Sequence, residues 1–104
     1  MEKHIQSLLS FMDKSVCNFW AVDTIKAMLS EAGYQEKCLA ANFAAKPGDK
    51  FFVTKNDSAI FAVSVGRKPI SETGFKVISA HSDSPCFRIK PNPEMLKEGR
   101  LLQL

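Results

Sequence analysis

The sequence predicts an α/β fold in which two N-terminal helices are followed by a mixed or antiparallel sheet. Three observations support this order of elements. The first third of the chain repeats its apolar residues with the period of a helix. Two β-prone runs then flank a short turn, and further short apolar runs follow a polar loop. The period of the pattern therefore changes once along the chain, from helix to strand.

Both helices are predicted from apolar residues spaced three and four positions apart. A helix from about Lys3 to Lys14 follows from an apolar stripe made of Ile5, Leu8, Leu9 and Met12. A second stripe runs from Ala21 to Ala32, with Asn18 as the expected N-cap and Gly33 as a left-handed residue at its end. Beside this stripe, Phe19 and Trp20 are expected to contribute to the core.

A β-hairpin is predicted after the irregular stretch 35–45. The turn-forming residues 46–49 precede the β-prone run Lys50–Lys55. Residues 56–58, Asn-Asp-Ser, form the next turn, and the apolar run Ala59–Val65 gives the second strand. The two runs are expected to pair with each other.

The part of the chain after the hairpin alternates between polar and apolar runs. Residues 67–74 are polar, contain a proline and a glycine, and predict an exposed loop. The run Phe75–Ala80 predicts a short strand that delivers His81 at its carboxyl end, where ligands commonly bind in open α/β sheets. Cys86–Lys90 alternates in the manner of another strand.

Composition excludes several classes of function. The net charge of +3 comes from 14 basic and 11 acidic residues without a basic stripe, so nucleic-acid binding has no support. No apolar stretch approaches the roughly 20 residues that span a bilayer, and the N-terminus does not resemble a signal peptide, so we expect a cytoplasmic protein. Cys17, Cys38 and Cys86 are odd in number and widely spaced, which favours free thiols.

His81 and Asp83 are the candidate site residues. In an extended segment, residues two apart lie on the same side of the backbone, so the carboxylate of Asp83 could hold one nitrogen of the His81 ring. A zinc-binding histidine commonly has its second nitrogen held in this way. Without further context, the pattern H-x-D is weak, because an exposed histidine beside a turn aspartate occurs often by chance.

Other catalytic interpretations fit these residues less well. His81, Asp83 and Ser84 are too close in sequence for a Ser-His-Asp triad, which joins distant segments. Cys86 lacks a well-placed histidine partner and favours a small core position. The segment around Gly48 lacks the P-loop pattern for nucleotides.

Residues 74–91, GFKVISAHSDSPCFRIKP, closely resemble the zinc-ligand segment of aspartyl aminopeptidases, which usually reads A-H-T-D-S-P-C-L-R-x-K-P. Upstream, residues 11–15 resemble the opening F-L-x-x-S of that family, and residues 48–56 resemble its G-G-K-Y-Y-x-T-R-N. Almost the whole chain is covered. Trp20 departs from the family pattern, which commonly has a histidine there.

The resemblance implies a site and a fold. His81 would bind one of two zinc ions, and Asp83 would orient the His81 ring. The remaining ligands and the general-base glutamate would lie downstream of this chain. Residues 1–104 would form the N-terminal portion of a zinc-peptidase-like α/β catalytic domain, ending near the boundary of an inserted domain. Consistent with this, the apolar run 98–104 has no stop signal after it.

The resemblance also implies an activity. The complete enzyme would remove acidic residues, Asp or Glu, from the N-termini of peptides and would assemble as a homo-oligomer, tetrahedral in the family. The 104-residue chain alone is expected to be inactive, because one histidine and one aspartate cannot complete a catalytic zinc site. The alternative is a non-catalytic module that associates with itself or with a full-length partner.

Overall fold

The computed structural model describes residues 2–87, 89–97, 99 and 101–103. Two helices come first, α1 at Glu2–Lys14 and α2 at Asn18–Glu31. The strands β1 at Gln35–Glu36, β2 at Lys50–Lys55 and β3 at Ala59–Ser64 follow. A one-turn helix α3 at Ile70–Thr73 and the strands β4 at Met95–Lys97 and β5 at Leu101–Gln103 complete the order.

The first sheet is mixed, as the sequence predicts. Strand β2 lies in the centre, with β1 parallel on one side and β3 antiparallel on the other. The β2–β3 hairpin is confirmed, with Lys50 opposite Ser64 and Lys55 opposite Ala59. Asn56 and Asp57 have φ values of 54° and 51°, and these left-handed conformations suit the tight turn of a hairpin. Strands β4 and β5 form a separate antiparallel pair.

The two N-terminal helices are confirmed, but the start of α2 differs from the prediction. Cys17 is the N-cap, with extended backbone and no side-chain capping bond, and Asn18 already lies inside the helix. The carbonyl of Cys17 accepts the first helical hydrogen bond, from the amide of Ala21 at 2.9 Å. At the other end, Gly33 has a φ of 82°, so the predicted left-handed residue is confirmed.

A small core lies between α2 and the three-stranded sheet. Its buried side chains are those of Ala21, Val22, Phe52 and Val53. Phe19 is 39% exposed and Trp20 is 62% exposed, so the core positions predicted for both are wrong. Successive residues on a helix are about 100° apart, and Trp20 therefore points nearly opposite to the buried Val22.

The predicted strands Phe75–Ala80 and Cys86–Lys90 are absent among the described residues; Arg88, within the second, lies outside them. A strand needs a neighbour to pair its backbone groups, and none of the described strands pairs with these runs. Their side chains are exposed, up to 99% for Ile78 and 108% for Phe87, and Cys86 is also exposed, not in a core. The predicted loop 67–74 contains the short helix α3.

The chain is less compact than a closed domain. Its Cα radius of gyration is 19.6 Å, against about 13 Å for a compact domain of 100 residues. The exposed run between α3 and β4 is consistent with this value. Within the described part of the chain, no helix combines the length and apolarity needed to cross a membrane.

Candidate functional site

The predicted site residues lie in the extended segment that follows α3. His81 and Asp83 point to the same side of this segment, as their spacing predicts. The Nδ1 atom of His81 lies 3.0 Å from Oδ1 of Asp83 and 2.9 Å from the backbone oxygen of the same residue. Both side chains are 80% exposed. The imidazole is therefore held on one edge and open to solvent on the other.

The partners of Nδ1 determine which ring nitrogen carries the proton. A carboxylate oxygen and a backbone carbonyl oxygen both accept hydrogen bonds and cannot donate them. Nδ1 of His81 therefore donates its hydrogen to Asp83, which leaves the lone pair of Nε2 free in the neutral ring. A free Nε2 lone pair, with Nδ1 held by a carboxylate, is the arrangement in which histidine binds zinc.

The donor set of this segment fits one ligand of a metal ion. Among the described residues, no group of three or more His, Cys, Asp or Glu side chains is arranged to surround a metal. A catalytic zinc ion requires about three protein ligands and an open position for water. Among the described residues the donors near His81 therefore do not form a complete metal site. The metal-binding role of His81 stays a prediction.

Ser82 makes a contact that the sequence does not predict. Its Oγ donates a hydrogen bond of 2.8 Å to the backbone oxygen of Ser58, which lies 24 positions earlier in the turn of the β2–β3 hairpin. Ser82 is partly buried, whereas His81 and Asp83 on either side are exposed. The alternation of an extended segment could have indicated that Ser82 faces the opposite way from its neighbours. Its partner could not have been identified from sequence.

A cleft elsewhere on the surface is separate from the segment that carries His81 and Asp83. It has a volume of about 240 Å³ and lies beside the start of β2, with Gly33, Phe43, Asp49 and Phe51 among its lining residues. Asp49 contributes a carboxylate to the lining of the cleft, and its Oδ2 atom already accepts a hydrogen bond of 2.7 Å from the amide of Lys46. Neither His81 nor Asp83 lines this cleft.

Solved structures share this arrangement of elements. The chain superposes on a chain in the cryo-EM structure of the Ape4 and Nbr1 complex with a TM-score of 0.81 and 32% sequence identity. That match covers 95% of this chain and 19% of the other. The structure of Chaetomium thermophilum mApe1 matches with a TM-score of 0.55 and 38% identity, over 59% of this chain and 14% of the other.

Sequence comparisons agree with the structural ones. A probable M18 family aminopeptidase 2 from Clostridium novyi is 48% identical over 102 residues, which are 98% of this chain and 24% of the relative. The protein of the same name from Ectopseudomonas mendocina is 39% identical over 98 residues, which are 94% of this chain and 23% of the relative. The chain thus spans about a quarter of the length of the curated relatives it matches.

The family assignment follows from a match over nearly the whole chain. The sequence model of the family described as aminopeptidase I zinc metalloprotease (M18) matches residues 11–103. The matched region includes the β2–β3 hairpin and the segment that carries His81 and Asp83. The chain therefore belongs to the aminopeptidase I zinc metalloprotease family, M18.

Proposed function

We propose that this chain is part of a zinc aminopeptidase that removes acidic residues, Asp or Glu, from the N-termini of peptides. In this proposal His81 is a ligand of one zinc ion of a pair, and Asp83 orients the His81 ring. The observation that supports it best is the hydrogen bonding of Nδ1, which leaves Nε2 available to a metal. The acidic preference has its support in the resemblance of residues 74–91 to aspartyl aminopeptidases.

The chemistry assigned to this chain is to hold one metal ligand in a fixed tautomer and orientation. Asp83 accepts the Nδ1 hydrogen of His81 and so fixes the tautomer and the orientation in which Nε2 would face the metal. A zinc ion bound there, once its other ligands are in place, would polarise the scissile carbonyl and lower the pKa of a bound water. The remaining ligands and the general-base glutamate are assigned to residues beyond this chain.

We further propose that residues 1–104 are the N-terminal portion of the catalytic domain and are inactive alone. The support is the small number of donors near His81 among the described residues. The test is an assay of the 104-residue chain with zinc or cobalt on a peptide that begins with Asp, with a complete M18 aminopeptidase as the positive control. Clear turnover by the 104-residue chain that is lost in His81→Ala would contradict the proposal.

The acidic preference needs a separate test, because it depends on the complete enzyme. The coding sequence that follows Leu104 is examined for further His, Asp and Glu ligands, and the complete product is purified. Rates are then compared on peptides that differ in the first residue alone, Asp or Glu against Asn or Gln. Equal rates on the charged and amide forms would contradict the acidic preference.

Cytoplasmic location and homo-oligomeric assembly belong to the same proposal. Cys17, Cys38 and Cys86 are free in the structure, and free thiols, two of them exposed, suit a reducing compartment. The exposed apolar side chains on the segment 75–89 suit an assembled or larger protein, in which they would be covered.

A second candidate function is a non-catalytic association module. The exposed apolar side chains that favour it belong to Phe75, Val77, Ile78, Phe87 and Ile89. Contiguous exposed apolar surface commonly marks an interface. Size-exclusion chromatography with light scattering tests this candidate, since a discrete dimer of the 104-residue chain is compatible with association and a well-behaved monomer argues against it.

A further inference from the structure

We propose that Ser82 is a positioning residue for the metal ligand. Its hydroxyl would anchor the segment that carries His81 and Asp83 to the turn between β2 and β3, and so direct the imidazole to one place on the fold. This inference rests on the proposed role of His81 as a zinc ligand. It adds a residue that acts through the backbone and does not touch the metal.

The anchor is possible because three successive side chains alternate in direction. His81 and Asp83 point outwards and are 80% exposed. Ser82, between them, is partly buried and donates its hydrogen bond of 2.8 Å to the carbonyl of Ser58. In an extended segment the residue between two outward-facing groups faces the opposite side. Ser82 is thus placed to reach the structure beneath the ligand.

The acceptor of this bond belongs to a well-supported part of the fold. Ser58 closes the hairpin turn, where its amide donates to the carbonyl of Lys55 at 3.2 Å. The adjoining strand β2 carries Phe52 and Val53, two of the buried core residues. A carbonyl held by a paired hairpin is a fixed point, so a hydrogen bond to it restrains the position of the segment that donates.

The bonds made by Asp83 and by Ser82 have different effects. Asp83 is two residues from His81, so its contact fixes the ring relative to its own segment alone. The bond from Ser82 spans 24 positions and fixes the segment relative to the hairpin. A metal ligand must be held in both respects, because its partners come from other parts of the protein. Serine or threonine can supply the hydroxyl, whereas alanine cannot.

The test uses the 104-residue chain labelled with ¹⁵N and carrying His4→Gln, which leaves His81 as its one histidine. Nickel(II) is the paramagnetic probe and zinc(II) the diamagnetic reference, because imidazole binds both metals. Nickel is expected to broaden the amide signals of residues 82–84 and, through the anchored geometry, those of residues 55–59. The amide of Gly33 serves as the reference, because Gly33 lies beside the start of β2, at the opposite end of that strand from the turn that contains Ser58.

Three further variants isolate the hydroxyl. Ser82→Ala should lose the broadening at residues 55–59 and keep it at residues 83 and 84. Ser82→Thr should retain both effects, and Ser84→Ala, an exposed serine in the same segment, should behave like the parent chain. Unchanged amide positions for α2 and β2 verify that each variant is folded. Contacts between protons of Ser82 and Ser58 in the metal-free parent provide an independent measurement of the anchor.

The outcomes separate this proposal from the one on which it rests. Absence of broadening at residues 82–84 in the parent would contradict the metal-binding role of His81, and the role of Ser82 would fall with it. If the parent shows broadening at residues 82–84, and residues 55–59 are broadened as strongly in Ser82→Ala as in the parent, the role of Ser82 alone would be overturned. Loss of the effect in Ser82→Thr as well would show that the hydroxyl is not its cause.

Discussion

Asp83 supplies both acceptors of the Nδ1 hydrogen of His81, one from its side chain at 3.0 Å and one from its backbone at 2.9 Å. A ring held by two oxygens of one residue has a defined tautomer even though it is exposed to solvent. Removal of the carboxylate leaves the backbone oxygen in place. The contributions of the two acceptors can therefore be separated by substitution.

The first prediction concerns the tautomer. Asp83→Ala should lower the fraction of neutral His81 that carries its hydrogen on Nδ1, because the carboxylate acceptor is lost. The ¹⁵N chemical shifts of the ring nitrogens report this fraction directly. His4, on the exposed surface of α1, is an internal control whose shifts should not change. Identical ring shifts for His81 in the parent and in Asp83→Ala would show that the carboxylate does not determine the tautomer.

The second prediction concerns metal affinity. The 104-residue chain should bind zinc weakly, because a single imidazole is a poor site without further ligands. Calorimetry should show low affinity that decreases again in His81→Ala, whereas His4→Gln should have little effect on the binding at His81. Tight stoichiometric binding by the parent chain would mean that other ligands, from this chain or a second copy, surround the ion.

In the complete enzyme the carboxylate should have a larger effect, which is the third prediction. Substitution of an acceptor that orients a metal-binding histidine typically lowers metal affinity or activity by about 10- to 100-fold. Asp83→Ala in the complete enzyme should therefore lower zinc affinity within that range while His81→Ala lowers it further. Measurement of zinc retention against a competing chelator checks both. An unchanged affinity in His81→Ala would contradict the assignment.

The fourth prediction compares two phenylalanines that differ in burial. Phe52 is 1% exposed and belongs to a core of few side chains, so Phe52→Ala should lower the free energy of unfolding by about 3–5 kcal/mol. Phe87 is 108% exposed, and Phe87→Ala should change that free energy by less than about 0.5 kcal/mol. Urea unfolding followed by circular dichroism measures both. Similar losses in the two variants would mean that residue 87 is packed in solution.

The fifth prediction concerns the end of α2. Gly33 has a φ of 82°, and a Cβ added there would meet no atom within 4 Å, so the cost of Gly33→Ala is conformational and not steric. A left-handed alanine costs about 1–2 kcal/mol. Gly66 is equally open but has no left-handed φ, so Gly66→Ala should be neutral or slightly stabilising. Thermal unfolding of the two variants should rank them in this order.

The elements that the sequence predicts correctly are those that depend on interactions between residues close together in the chain. The stripes of α1 and α2, the left-handed Gly33 and the β2–β3 hairpin all depend on residues close together in the chain. The strand expected at Phe75–Ala80 depends instead on a neighbour, which the described strands do not provide. The spacing of apolar residues shows that a segment can form a strand, but it does not show whether another strand is present to pair with it.

In the candidate site, too, contacts between nearby residues could be predicted and contacts between distant residues could not. His81 and Asp83 lie on the same side of their segment because they are two residues apart, and the structure places them in contact. The bond from Ser82 to Ser58 joins positions 24 apart, and no local pattern could indicate it. The sequence does not predict the short helix α3, because its four residues lie in a polar stretch between Pro69 and Gly74, a pattern equally typical of a loop.

The stretch from Phe75 to Phe87 has no regular secondary structure and is exposed apart from Ser82, and exposed segments of this kind are preferred sites of proteolytic cleavage. Limited proteolysis of the 104-residue chain should therefore cut first within this stretch, while α2 and the hairpin around Phe52 remain intact. The bond from Ser82 should slow cleavage near His81 relative to cleavage near Ile78. A segment that would bind a metal in a peptidase should thus, in this chain alone, be a preferred target of digestion.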